Sequence, residues 1–267
     1  MTSATASEDA QLLRQDDKGV AWLTLNRPQA RNSLSLDLIA TLQAELDQIA
    51  ATPSIRVVVL AANGPAFCAG HDLKEVSCAD QIFHQMLFNR CSELMLSIRR
   101  LPQPVIACVQ SLATAAGCQL VASCDLAVAA RSARFATPGV HIGLFCSTPM
   151  VALTRNVQPK QAMQLLLTGD PIDANTALAY GLVSQVVEDE ALQEETWALA
   201  SKIAAKSGHT LRIGKEAFYQ QLEMSEPDAY ALTSEVMAKN LQIDDAKEGI
   251  AAFIEKRHPV WEQDRDQ

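Results

Sequence analysis

The sequence predicts an α/β protein with a parallel sheet and a helical C-terminal region. Short apolar runs at 19–26, 55–61 and 105–109 alternate with stretches of helical spacing. Strands alternating with helices pair in parallel through helical crossovers. From about residue 160 onward the pattern becomes almost wholly helical. Hydrophobic residues make up 48% of the chain and charged residues 20%, the balance of an ordinary globular core.

Each element has its own signal. Val20, Leu23 and Leu25 mark a strand at 19–26. Ser35 caps a helix that runs to 51, with Ile39, Leu42, Leu46 and Ile49 at helical spacing. Pro53 stops it before the strand at 55–61. The longest helical pattern is 81–101, with Ile82, Met86, Cys91, Leu94, Met95, Ile98 and Leu101 as its apolar stripe, ended by Pro102 and Pro104. A strand at 105–109, a short apolar helix at 118–123 and strands at 125–130 and 134–137 follow. Helices are expected at 159–167, 173–180, 191–206, 210–222, 227–241 and 245–256, with one strand at 182–187. Residues 1–16 are expected to be a poorly ordered tail, being rich in Ser, Thr, Glu and Asp at the start. The opening has neither the basic-then-apolar order of a secretory signal nor the Arg-rich character of a mitochondrial presequence.

Composition removes several function classes. A net charge of −9 argues against nucleic acid or an anionic membrane as partner. No apolar run approaches the roughly 20 residues that span a bilayer. The seven cysteines lie between Cys68 and Cys146, odd in number and without a C-x-x-C pair. That pattern suits small core fillers rather than disulfides or zinc, and points to a reducing, cytoplasmic location. No P-loop, no G-x-G-x-x-G and no His or acidic cluster at ligand spacing is present, so no metal and no nucleotide cofactor is expected.

Two segments carry a chemical signal. Residues 55–75 read IRVVVLAANGPAFCAGHDLKE: a buried strand, a turn, then small residues ahead of Asp72 as a helix N-cap. Gly70 lets a ligand approach the backbone, and the N–H groups at a helix start are free to hold a negative oxygen. Residues 104–125 read PVIACVQSLATAAGCQLVASCD and again place small residues, Ala115-Ala116-Gly117, at a helix start. Two such donors converging are the apparatus for stabilising an enolate or a tetrahedral oxyanion.

Together these segments resemble the enoyl-CoA hydratase/isomerase superfamily, the crotonase fold. The family's F-C-A-G-x-D-L-K is present at Phe67 to Lys74, and its P-V-I-A…C-E-L-x-x-x-C-D, with changes, at Pro104 to Asp125. Further matches are Val20 to Pro28, Asn32 to Ser35, Phe135 to Pro138, Leu167 to Gly169, Ala177 to Val183 and Glu248 to Arg257, so the resemblance covers roughly 17–262. It implies a crotonase-type spiral of β-β-α turns over 17–200. A C-terminal helical region over 201–267 would pack on a neighbouring subunit, in a homotrimer or a dimer of trimers. The implied ligand is an acyl-CoA thioester, with coenzyme A part of the substrate and no separate cofactor.

By the same resemblance, the thioester carbonyl would lie between the backbone N–H groups of His71 and Ala116. Ala69, Gly70, Asp72, Leu73, Lys74 and Gly117 would surround it. Arg27, Arg31 and Lys256 would meet coenzyme A phosphates, and Phe218 and Phe253 would cover the adenine or the pantetheine mouth from a neighbouring subunit. Two positions depart from the pattern. Hydratases deliver water with two glutamates, and this chain has Gln119 and Gly139 in their places. Gln119 cannot take up a proton at useful pH and Gly139 has no side chain. General acid–base groups contribute about 10²–10⁴-fold, so efficient hydration is not expected. His71 is the candidate substitute. His141, two residues past Gly139, would point to the same side on an extended segment. Cys146 would need a base and a lowered pKa to act as a nucleophile. Three readings stay open: weak hydration through Gln119 and water, decarboxylase-like enolate chemistry assisted by His71, and acyl-CoA binding without catalysis.

Overall fold

A computed structural model describes residues 10–264. The chain opens with β1 (Leu12–Asp17), β2 (Val20–Leu25), α1 (Leu36–Ala50), β3 (Val57–Ala62), β4 (Ala66–Cys68), α2 (Leu73–Ser77) and α3 (Gln81–Arg100). Next come β5 (Val105–Val109), β6 (Leu112–Thr114), α4 (Ala116–Ser123), β7 (Leu126–Ala130) and β8 (Arg134–Ala136). The rest is α5 (Ser147–Leu153), α6 (Pro159–Thr168), β9 (Ile172–Asp173), α7 (Ala174–Tyr180), β10 (Gln185–Val187), α8 (Leu192–Ala204), α9 (Gly208–Gln221), α10 (Glu226–Asn240) and α11 (Asp244–Glu255).

The strands fall into two sheets, ordered β1-β2-β3-β5-β7-β10 and β4-β6-β8-β9. Successive pairs, β3 with β4, β5 with β6 and β7 with β8, each give one strand to either sheet. This is the expected spiral. Pairing is parallel except at the margins, where β1 runs antiparallel to β2 and β9 to β8. The large sheet is buried on both faces. Ala21, Leu23, Val58, Leu60, Val105 and Ala107 face the main core beneath α1 and α3. Val20, Val57, Val59, Ile106 and Val128 alternate with them and meet Leu192, Ala200 and Ala204 of α8. Burial on both faces is why these strands read as unbroken apolar runs.

Helix limits follow local chemistry. The Ser35 hydroxyl accepts from Leu38 N at 3.2 Å, and the Asp80 carboxylate from Phe83 N at 2.9 Å, so α1 and α3 start where a cap is available. Two expectations change. The expected poorly ordered tail does not extend to residue 16, because Leu12–Asp17 forms β1; residues 1–9 lie outside the described residues. Ile82 and Met86 do not join the α3 stripe. They are exposed, while Leu87, Cys91, Leu94, Met95 and Ile98 are buried. Ile82 stands five residues before Leu87, about 140° around the helix. In the C-terminal region the first helix, α9, packs on its own core. Lys215 Nζ donates to Ile98 O (2.9 Å), Gln103 O (3.0 Å) and Asp125 Oδ2 (2.6 Å), and the Tyr219 hydroxyl to Asp125 Oδ1 (2.8 Å). The buried Asp245 carboxylate then accepts from Ser207 Oγ (2.6 Å) and Glu262 N (2.7 Å), clasping α9, α11 and the C-terminal stretch.

Candidate functional site

Three adjacent parallel strands, β4, β6 and β8, end side by side, with Cys68 beside Ala113 and Thr114 beside Ala136. The turns that follow them hold His71, Ala116 and Gly139. Gly70 has φ +94°, and a Cβ on it would lie 3.0 Å from Ala115 Cβ and 3.6 Å from Ala116 N. The first two turns are therefore in contact. Ala115 holds φ 49°, ψ −118°, a conformation that side chains rarely adopt, and its N–H donates to Ala136 O at 2.9 Å. Leu34 N donates to Gly70 O (2.7 Å) and Asp72 N to Leu34 O (3.2 Å), which leaves the His71 N–H between them without an acceptor. Among the described residues the Ala116 N–H has none either.

The side chains here are short of partners. The His71 ring meets Phe88 edge-on at 5.3 Å, and both of its nitrogens are buried with no hydrogen bond. Burial lowers its pKa below the ordinary 6.5, the Leu34 backbone opposing only in part, so the ring is neutral at pH 7. Gln119 is 4% exposed and its Oε1 lacks a donor. The Thr137 hydroxyl is likewise buried and unpaired. Buried polar atoms are nearly always satisfied, and the orphans at His71 and Thr137 lie just past the ends of β4 and β8. Gln119 also lines a cavity of about 700 Å³ between α3, α4, α5 and α9, whose lining includes Met95, Ala122, Val151, Phe218 and Tyr219.

Several expected site residues stand elsewhere. Arg27 donates to Ser33 O (2.7 Å) and pairs with Asp72 (3.1 Å), and Asp72 caps α2 through Lys74 N (3.1 Å). Both are thus engaged in holding the first loop against the helix start. Gly117 is a packing residue: a Cβ there would lie 2.1 Å from Cys68 O, so α4 rests on β4 only because position 117 has none. His141 is exposed, with Nε2 2.8 Å from Thr168 O. It sits in a 3-10 helix, Pro138–Ile142, rather than on an extended segment, so it does not share the direction of position 139. Cys146 is buried, and burial raises its thiol pKa, with Gly139 opposing, which disqualifies it as a nucleophile. Arg31, Leu73 and Lys74 are exposed, and Ala69 N donates to Arg31 O at 3.0 Å. Phe218 reaches the cavity that Gln119 lines, whereas Phe253, 85% exposed, and Lys256 do not. Sequence reasoning missed Thr137, Phe88 and Arg99. The last two share one face of α3 with Ser92 and Met95, a spacing of four, three and four visible in the sequence.

Comparison with known proteins agrees with this architecture. The family described as enoyl-CoA hydratase/isomerase matches residues 15–265. The Xenopus laevis protein named enoyl-CoA hydratase domain-containing protein 3, mitochondrial, is 51% identical over 248 residues, 92% of this chain and 84% of the relative. A crystal structure of enoyl-CoA hydratase from Mycobacterium smegmatis superposes with TM-score 0.93 at 50% identity, covering 95% of this chain and 99% of that one. The crystal structure of human enoyl-CoA hydratase domain-containing protein 3 gives TM-score 0.93 at 47% identity, covering 94% and 100%. The frog, rat, mouse, human and zebrafish relatives are all named as mitochondrial, which overturns the cytoplasmic location expected from the cysteines. Free thiols signal a reducing compartment and do not tell the cytosol from the mitochondrial interior. By sequence match and by fold, the chain belongs to the enoyl-CoA hydratase/isomerase family and has the crotonase fold.

Proposed function

We propose that this protein binds an acyl-CoA thioester with its carbonyl oxygen between the N–H groups of His71 and Ala116. One observation carries the reading: two backbone donors without acceptors, at the ends of turns that touch. Fixed donors in a water-poor site stabilise charge that develops on such an oxygen without reorganising. The acyl group then extends past Gln119 into the cavity. Coenzyme A enters as part of the substrate, and no separate cofactor is required.

The chemistry we favour is enolate chemistry assisted by His71, not efficient hydration. Gln119 is no proton acceptor, and position 139 has no space for a carboxylate. His71 is neutral, with both ring nitrogens vacant beside the proposed carbonyl position. With a malonyl-type thioester the bond from Cα to the carboxylate breaks, and its electron pair passes into the enolate held by the two N–H groups. CO₂ departs, and Cα takes a proton from water. His71 orients the departing carboxylate. Acyl-CoA binding without turnover is the second reading, favoured by the loss of both glutamates. A homotrimer, singly or as a pair, is supported by the exposed apolar side chains of α10 and α11, Tyr230, Met237, Phe253 and Ile254.

The test is calorimetry with acetyl-CoA and crotonyl-CoA, followed by turnover on a panel of malonyl-type and enoyl thioesters. Binding with malonyl-type turnover supports the favoured reading. Binding with no turnover on any of them selects the second, and no binding rejects both.

A further inference from the structure

The cavity beside Gln119 carries a cationic side chain that a simple fatty acyl chain does not need. Much of its lining is apolar, with Met95, Leu96, Ala122, Val151 and Phe218 among the residues. Arg99 lines it too, half-buried and stacked over the Tyr219 ring at 4.5 Å. Among the described residues that guanidinium has no carboxylate partner and no hydrogen-bond acceptor. Guanidinium groups held partly out of water are normally paired, and their planar fork matches a carboxylate. The carboxylates nearby do not serve it. Asp125 is taken by Lys215, Tyr219 and Val105 N, at 2.6, 2.8 and 2.6 Å, and Glu223 is exposed. A second guanidinium of the lining, Arg155, donates to Val151 O at 2.9 Å in the helix that it follows.

The geometry also sets a length. Phe88 touches His71, and Ser92, Met95 and Arg99 follow it along one face of α3. Eleven residues of helix separate Phe88 from Arg99, about 16 Å. An extended chain advances roughly 1.2 Å per bond, so about thirteen or fourteen bonds bridge the two ends. The cavity volume, about 700 Å³, lies in the usual range for a small-molecule site.

We infer that the cavity selects acyl-CoA thioesters whose acyl chain is of medium length and ends in a carboxylate, which Arg99 grips at the end remote from the thioester. This rests on the acyl-CoA reading above and adds the substrate class. An anion at Arg99 has two sources, the acyl terminus and a coenzyme A phosphate, and the experiment separates them.

The full-length protein is titrated calorimetrically with matched pairs, hexanoyl- and adipoyl-CoA, octanoyl- and octanedioyl-CoA, dodecanoyl- and dodecanedioyl-CoA, and with free coenzyme A. At the best length the dioyl thioester should bind at least about tenfold tighter than its methyl-ended partner, the worth of a charge-assisted hydrogen bond. Arg99→Met should abolish that preference while methyl-ended affinity stays within about twofold. Arg99→Lys, which keeps the charge and loses the fork, should retain part of it, and thermal melting shows that both variants fold. A dioyl preference absent at every length, or undiminished in Arg99→Met, overturns the inference while leaving acyl-CoA binding intact. Equal weakening of free coenzyme A and both thioesters in Arg99→Met assigns the arginine to phosphate and overturns it as well. Failure of every thioester to bind overturns this inference and the reading beneath it together.

Discussion

The Cys146 thiol occupies the space that a side chain at Gly139 would enter: a Cβ there would lie 2.9 Å from Sγ and 2.6 Å from Leu144 O. Position 139 therefore lacks more than a carboxylate. The loop from 139 to 146 has closed over the place where one would stand, with Leu144 N donating back to Gly139 O at 2.9 Å.

Restoring the glutamate should accordingly fail. Gly139→Glu is expected to lower stability by about 1–3 kcal/mol through overpacking and to give no gain in hydration, alone or with Gln119→Glu. The parent should hydrate crotonyl-CoA on the order of 10⁴-fold more slowly than a family member with both carboxylates. A spectrophotometric assay with both proteins decides this, and comparable turnover in the two would sink the idea.

Gly117→Val should act on the fold rather than on affinity. The added Cβ meets a backbone carbonyl, Cys68 O, and no rotamer change relieves that contact. Destabilisation of more than about 3 kcal/mol is expected from urea denaturation. A variant as stable as the parent would show that α4 is free to lift from β4.

His71 makes stability depend on pH in one direction. Its folded pKa lies below 6.5, so between those two values the unfolded chain binds a proton that the native chain does not. The contribution is fully present above about pH 6.5 and is lost as pH falls toward the native value. His71→Gln should flatten the stability profile below pH 6.5 and leave the neutral side unchanged. Urea melts from about pH 5 to pH 8 measure this; a parallel profile in the variant rules out a depressed pKa.

Lys215→Ala leaves Asp125 buried with less compensation, the pair being only 7% and 15% exposed at its side chains. A loss of about 3–5 kcal/mol is expected, the cost of breaking a buried pair from one side. Chemical denaturation that showed less than about 1 kcal/mol would mean that α9 is held by other contacts.

Much of this was legible in sequence where local chemistry decides structure. Helix α1 follows from Ser35 and the spacing of Ile39, Leu42, Leu46 and Ile49, and β5 from an apolar run after Pro104. The strands β4, β6 and β8 have three residues each, too few for any period to show. Strand β1 reads LLRQDD, polar because it is an edge strand open to solvent along most of its length. At the site, the two small-residue turns around Gly70 and Ala116, which carry the expected donors at His71 and Ala116, were legible as helix starts. Partnerships across the fold were not. Arg27 looks available until Asp72, 45 positions away, is seen beside it. His141 was misdirected because a 3-10 helix turns its side chain away from where an extended segment would send it.

The Lys215–Asp125 pair also links folding with occupancy. Phe218, Tyr219 and Leu222 of α9 and its C-terminal end form one wall of the cavity, and α3 and α4 form the opposite one. A guest held between them is a second tie on a helix whose first tie is that ion pair. Whatever fills the cavity must slow the opening of α9, by the factor in which ligand concentration exceeds the dissociation constant. Amide exchange along 208–221 is thus a ligand assay that needs no turnover and serves whichever reaction the site performs.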